Sequence, residues 1–287
     1  MSLKGLYTAL VTPFLNEAVE FGDFKNLIKQ QADGGVDGII VAGTTGESPV
    51  LAQEEFVALV ETAKAEAGQM NVFVGVGSCD TKKAVEKTKI AHGLGADGFL
   101  VVTPYYNKPT QSGLVEYYGK IADSTDKPII LYSVPSRTGV EIAIDTITKL
   151  REKYSHIVAI KEASESCSRV EAMVKNFGKD LVVFSGNDSM TLPFMSLGAV
   201  GVVSVMSNIA AREMASLVKL ASDGNFRGAL KEYQVLMPIM SKLFIETNPL
   251  PIKFLLKSKN IISSAECRSP LGKLSEKSMA ELANLVA

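Results

Sequence analysis

The chain has 287 residues, 46% hydrophobic and 21% charged, a balance that supports a packed core and excludes disordered and collagen-like classes. Thirty lysines and arginines against 31 aspartates and glutamates leave a net charge of −1, which removes the electrostatic basis for binding nucleic acid or an anionic membrane. Cys79, Cys167 and Cys267 are widely spaced, and His92 and His156 are isolated, so neither a disulfide framework nor a metal-ligand cluster is expected. These features point to a reducing compartment and to chemistry without metal or cofactor, with Cys79 and Cys167 packed in the interior.

In chain order, apolar runs of strand length fall at residues 7–14, 38–43, 71–77, 98–104, 128–134, 157–163, 181–186 and 201–205. The first belongs to LYTALVTPFLNE, which contains Pro13 and lacks the charged lead and cleavage site of a signal peptide. No run reaches the ~18 apolar residues a membrane helix needs. A soluble, cytoplasmic protein is expected. Between the runs lie amphipathic stretches such as 54–68, 82–96 and 167–178, several ending at glycine. Continuous apolar strands joined by helical crossovers imply parallel strands covered by helices.

Eight such units predict an α/β fold, a (β/α)8 TIM barrel. The rival, an open doubly wound sheet, would carry a glycine-rich phosphate turn after its first strand. Here that strand ends in TPF, and the glycines of GVGSCD at 75–80 fit a tight strand exit. Alternation stops after residue 223, and 226–244, 251–260 and 275–286 read as three helices separated by NPLP and a serine-rich turn. The expected organisation is one domain over 1–287, with the barrel at 1–223 and a C-terminal helical extension at 224–287.

Barrel chemistry gathers at the carboxyl ends of the strands. Thr44 and Thr45 follow the second strand, Tyr105 and Tyr106 the fourth, Tyr132 and Arg137 the fifth; Lys161 closes the sixth. Strand alternation puts Lys161 on the same face as the small Ala159. If that face looks inward, burial favours the neutral amine, which attacks a ketone to form an imine. The iminium acidifies the neighbouring C–H and so gives an enamine without a metal. The bland alternative is a lysine reaching to water or pairing with Glu162. Repeated proton transfers suit a phenol linked to hydroxyls, a role Tyr132 is placed to fill. The planar fork of Arg137 suits a carboxylate, and Gly139 behind it allows a tight turn. GTTGES could cradle a phosphate, but it lacks a GK[ST] ending, so carboxylate binding is preferred.

GTTGES at 43–48, VTPYYNKP at 102–109, YSVPSRTG at 132–139 and IKEAS at 160–164 together resemble the dihydrodipicolinate synthase family of pyruvate-lysine aldolases, a likeness spanning essentially the whole chain. The resemblance implies condensation of pyruvate with L-aspartate 4-semialdehyde to 4-hydroxy-tetrahydrodipicolinate, toward diaminopimelate and lysine. It gives Lys161 the Schiff base, Tyr132 proton donation and acceptance, and Thr44 with Tyr106 of the partner subunit the rest of a proton relay. Thr45 and the backbone at Val203 would hold the pyruvate carboxylate and Arg137 that of the semialdehyde, with Gly186 completing the substrate contacts. A homotetramer built from tight dimers is implied as well.

Ser133 stands where many members have asparagine, and activity is expected to survive the change. Lysine-inhibited members often carry histidines at the positions of Gln53 and Phe56 and an acid at that of Lys83, so weak or absent lysine inhibition is expected. A sugar-acid aldolase of the same family would share the lysine and tyrosine, but Arg137 better suits a short second carboxylate. A silent barrel used for binding or assembly is opposed by the intact lysine, tyrosine, threonine and arginine set.

Overall fold

The apolar runs form eight parallel strands that close into a barrel: β1 (Gly5–Ala9), β2 (Gly38–Val41), β3 (Asn71–Gly75), β4 (Gly98–Val102), β5 (Ile129–Ser133), β6 (Ile157–Glu162), β7 (Val182–Ser185) and β8 (Gly201–Ser204). In this computed structural model, which describes residues 3–285, β1 closes the ring by pairing with both β8 and β2. The crossovers are α1 (Phe21–Asp33), α2 (Gln53–Glu66), α3 (Thr81–Gly93), α4 (Gln111–Ala122), α5 (Ile144–Lys153), α6 (Cys167–Phe177), α7 (Thr191–Ser196) and α8 (Ala211–Ser222). This is the TIM barrel expected from the alternation.

Inward-facing side chains, among them Tyr7, Ile40, Phe73, Leu100, Ala159 and Phe184, fill the barrel interior. Outward-facing ones join the helices in a second, larger core that also takes in Leu236, Leu255 and Leu282 from the C-terminal helices. These are α9 (Phe226–Met240), α10 (Leu250–Ser258) and α11 (Glu276–Ala283).

Three details differ from the sequence expectation. The first run splits: β1 stops at Ala9, and Phe14–Leu15 pairs antiparallel with Ala18–Val19. Pro13 has no N–H to continue a ladder, and Asn16 and Glu17 take the left-handed backbone (φ 52° and 63°) that a tight hairpin turn requires. Helix α9 ends at Met240 rather than at 244, and α10 takes Pro251 into its first turn, where no N–H is needed. The last expected helix stops short of Val286, which lies outside the described residues.

Cys79 and Cys167 are exposed rather than packed inside. The first lies in the loop after β3 and the second opens α6, directly behind its N-cap Ser166, so neither position faces a core. No helix among the described residues is long and apolar enough to cross a membrane.

Candidate active site

Lys161 is the penultimate residue of β6 and is 5% exposed. Alternation turns it into the barrel with Ala159, while Glu162 faces outward to an ion pair with Arg169 Nε at 2.8 Å. The pairing with Glu162 considered from sequence is therefore not made. Parallel register sets Tyr132 of β5 directly beside Lys161, whose Nζ lies 4.3 Å from the centre of the Tyr132 ring. Gly186 follows β7 against the same side chain: a Cβ there would sit 3.1 Å from Lys161 Cγ and 2.8 Å from Ala163 Cβ.

No carboxylate lies within salt-bridge distance of Lys161 among the described residues. Burial lowers its pKa to about 7, with Asp188 opposing the shift and Arg137 reinforcing it. Asp188 is itself buried. Its Oδ2 accepts the backbone N–H groups of Val205 and Met206, each at 3.0 Å, while Oδ1 has no partner.

Tyr132 is buried, and burial pushes its phenol up to about 12 against the opposing effects of Arg137 and of a hydrogen bond with Thr44. The phenol therefore stays protonated at neutral pH. Above it opens a cavity of about 220 Å³, lined by Thr44, Leu100, Val102, Tyr105, Tyr132 and Arg137. Gly75 and Gly77 also line it, at positions where neighbouring backbone leaves no space for a side chain. A Cβ on Gly75 would come 2.3 Å from the carbonyl oxygen of Ala42, and one on Gly77 2.7 Å from the backbone nitrogen of Val102. A second lobe shares Tyr132, Val134 and Arg137 and extends to Gly186, Asn187 and Phe244.

Arg137 sits in a one-turn helix, Pro135–Thr138, closed by Gly139 at φ +70°, the tight turn that RTG suggests. Its Nη2 donates to the backbone oxygen of Asn248 at 3.3 Å. Thr45 is 3% exposed, and its Oγ1 accepts from Asn248 Nδ2 at 2.9 Å. Val203 of β8 packs in the interior with Tyr132 and Ala159.

The fold thus brings Lys161, Tyr132, Thr44, Arg137 and Gly186 to one mouth, while Val203 packs in the barrel interior and Thr45 is buried against Asn248, outside both lobes. Tyr106 does not join them within the chain: it is 94% exposed at φ 74°, outside both lobes, while Tyr105 lines the first. Two residues escaped the sequence reading. Asp188 carried a signal, as an acid just beyond a barrel strand, whereas Asn248 belongs to NPLP, which reads only as a helix break.

The profile of the Dihydrodipicolinate synthetase family matches residues 2–287. A 4-hydroxy-tetrahydrodipicolinate synthase of Aquifex aeolicus is 47% identical over 251 residues, 87% of this chain and 85% of its own length. One of Methanocaldococcus jannaschii is 42% identical over 284 residues, 99% of this chain and 97% of its own. The crystal structure of the Acinetobacter baumannii dihydrodipicolinate synthase complexed with pyruvate superposes with a TM-score of 0.95 at 35% identity, covering 99% of this chain and 97% of the other. With the match running almost end to end, and the barrel mouth built from the motifs that carried the resemblance, the chain belongs to the dihydrodipicolinate synthetase family.

Proposed function

We propose that the chain works as a 4-hydroxy-tetrahydrodipicolinate synthase through an imine on Lys161, joining pyruvate to L-aspartate 4-semialdehyde in lysine and diaminopimelate biosynthesis. The observation that carries this reading is a buried lysine amine without an ion-pair partner, set against a protonated phenol at the floor of the barrel mouth. With a pKa of about 7, roughly half of Lys161 is uncharged at neutral pH, against about one part in a few thousand for an ordinary lysine.

The neutral amine adds to the ketone carbon of pyruvate, and the carbinolamine loses its hydroxyl as water once Tyr132 supplies a proton. The Tyr132 phenolate left by that step takes a methyl proton from the iminium, which restores the phenol and gives the enamine, whose carbon attacks the aldehyde of the second substrate. Tyr132 then protonates the resulting alkoxide, and attack by the substrate's own amine frees Lys161 and closes the ring. Thr44 relays protons from Tyr132 toward solvent together with Tyr106 of the partner subunit, a role suited to a side chain that stands clear of its own pocket. Thr45 and the Val203 backbone hold the pyruvate carboxylate, Arg137 holds that of the semialdehyde, and Gly186 leaves space beside the imine.

Residues 1–287 act as one domain, a barrel over 1–223 with its helical extension at 224–287, within a cytoplasmic homotetramer of tight dimers. Borohydride reduction in the presence of pyruvate, followed by peptide mapping and a turnover assay on the same preparation, tests the reading. A pyruvate adduct on Lys161 with semialdehyde turnover is expected. An adduct without that turnover would redirect the substrate to a longer keto acid, and no adduct would remove the imine.

A further inference from the structure

The two carboxylate-binding groups proposed above share one hydrogen-bonding partner, Asn248, in the segment between α9 and α10. Asn248 is 4% exposed and lines neither lobe of the cavity. Its side-chain Nδ2 donates to Thr45 Oγ1 at 2.9 Å, and its backbone oxygen accepts from Arg137 Nη2 at 3.3 Å. A hydroxyl that accepts from an amide N–H keeps its own proton for another acceptor. Among the described residues no protein atom takes that proton.

We propose that Asn248 is a positioning residue for pyruvate: its amide fixes the Thr45 hydroxyl as a donor aimed at the substrate carboxylate, and its main chain steadies Arg137. The proposal rests on the reading of Thr45 as a carboxylate contact. Packing alone does not account for an asparagine here. Its Oδ1 is buried without a partner, a cost an apolar side chain of similar size would avoid, so the donor is the useful half of the amide. The C-terminal extension is thereby part of the site, since it delivers one residue that reads both carboxylate subsites, one through its side chain and the other through its backbone.

This division makes the test selective. In Asn248→Ala the side-chain donor is lost and the backbone oxygen remains, so the pyruvate KM is expected to rise about tenfold, with kcat and the semialdehyde KM held within about twofold. Asn248→Asp, nearly isosteric, turns the Thr45 proton inward and places an acid behind the subsite, raising the pyruvate KM further. In a Thr45→Val background, Asn248→Ala should add less than about twofold, because its effect runs through the missing hydroxyl.

Equal rises in both KM values would assign Asn248 a general structural role and overturn the proposal, as would an unchanged pyruvate KM or full additivity with Thr45→Val. Failure of the underlying mechanism shows separately: the unsubstituted enzyme would then form no borohydride-trapped pyruvate adduct on Lys161.

Discussion

Among the described residues two lysines are buried, and they have opposite surroundings. Lys161, inside the barrel mouth, lies 4.3 Å from the centre of the Tyr132 ring and has no ion-pair partner among the described residues. Lys253, on α10, lies 4.3 Å from the centre of the Phe14 ring but also bonds Glu47 Oε1 at 2.5 Å and the backbone oxygen of Glu266 at 2.8 Å. Burial and an aromatic neighbour are thus common to both. What separates them is the ion-pair partner: Lys253 is bonded to a buried carboxylate and serves as structure, while Lys161 is buried without such a bond and burial drives its amine toward the neutral, nucleophilic form.

The Lys253 pair belongs to a wider joint. Glu47, the penultimate residue of GTTGES, has φ 56°, and its Oε2 also accepts the backbone N–H of Arg268 at 2.9 Å. Arg268 in turn pairs with Glu55 of α2 and lies 4.2 Å from the centre of the Phe14 ring. The C-terminal extension therefore clamps the loop that carries Thr44 and Thr45.

Removing each lysine should give opposite results. Lys161→Ala is expected to cut turnover by about 10⁴-fold or more and to abolish the borohydride adduct, with little loss of thermal stability because no buried partner is orphaned. Lys253→Met should instead cost about 3–5 kcal/mol in urea unfolding by leaving Glu47 buried without its cation, yet still form the pyruvate adduct on Lys161. A Lys253→Met protein that is stable but chemically dead would break the distinction.

The pH dependence sharpens the contrast at Lys161 itself. A pKa lowered to about 7 means that imine formation should climb as pH rises through about 7 and then level off, whereas an ordinary lysine would still be gaining reactivity near pH 10. Asp188 opposes that lowering, so removing its charge lets the pKa fall further. Asp188→Asn should move the midpoint of the trapping profile to lower pH and, with the longer-range negative charge that favours the iminium removed, reduce the plateau. A profile unmoved by Asp188→Asn would count against an electrostatic role for this carboxylate.

Much of this arrangement was legible in the sequence, for reasons tied to particular residues. Strand alternation put Lys161 on one face with Ala159 but left open which face looks inward, and eight buried runs defined the barrel because parallel strands covered on both sides leave continuous apolar stretches. Asn248 and Lys253 were not legible. Their partners, Thr45 and Glu47, lie 203 and 206 positions away, and no local pattern encodes a contact between a helix break and a distant loop. The cysteines failed for the opposite reason. Cysteine's general preference for burial favours an interior place for Cys79 and Cys167, but it carries no information on which face of a loop or a helix start each occupies, and both are exposed.

A third lysine extends the comparison and carries the smallest expected effect. Lys87 of α3 is half-buried, with Nζ 3.3 Å from Ser48 Oγ and 5.5 Å from the centre of the Phe56 ring; burial lowers its pKa, and the nearby Lys83 lowers it further. Free lysine would have to bring its own ammonium toward two cations at the position where inhibited relatives are expected to offer an acid. Like charges oppose that step. Steady-state turnover should therefore be almost indifferent to added lysine, and Lys83→Glu should raise lysine sensitivity by only a few-fold, since a largely solvated charge contributes about 1 kcal/mol or less. Strong inhibition of the unsubstituted enzyme would mean that a carboxylate elsewhere receives the ammonium, and the rule drawn from Lys161 and Lys253 would then require finding that anion.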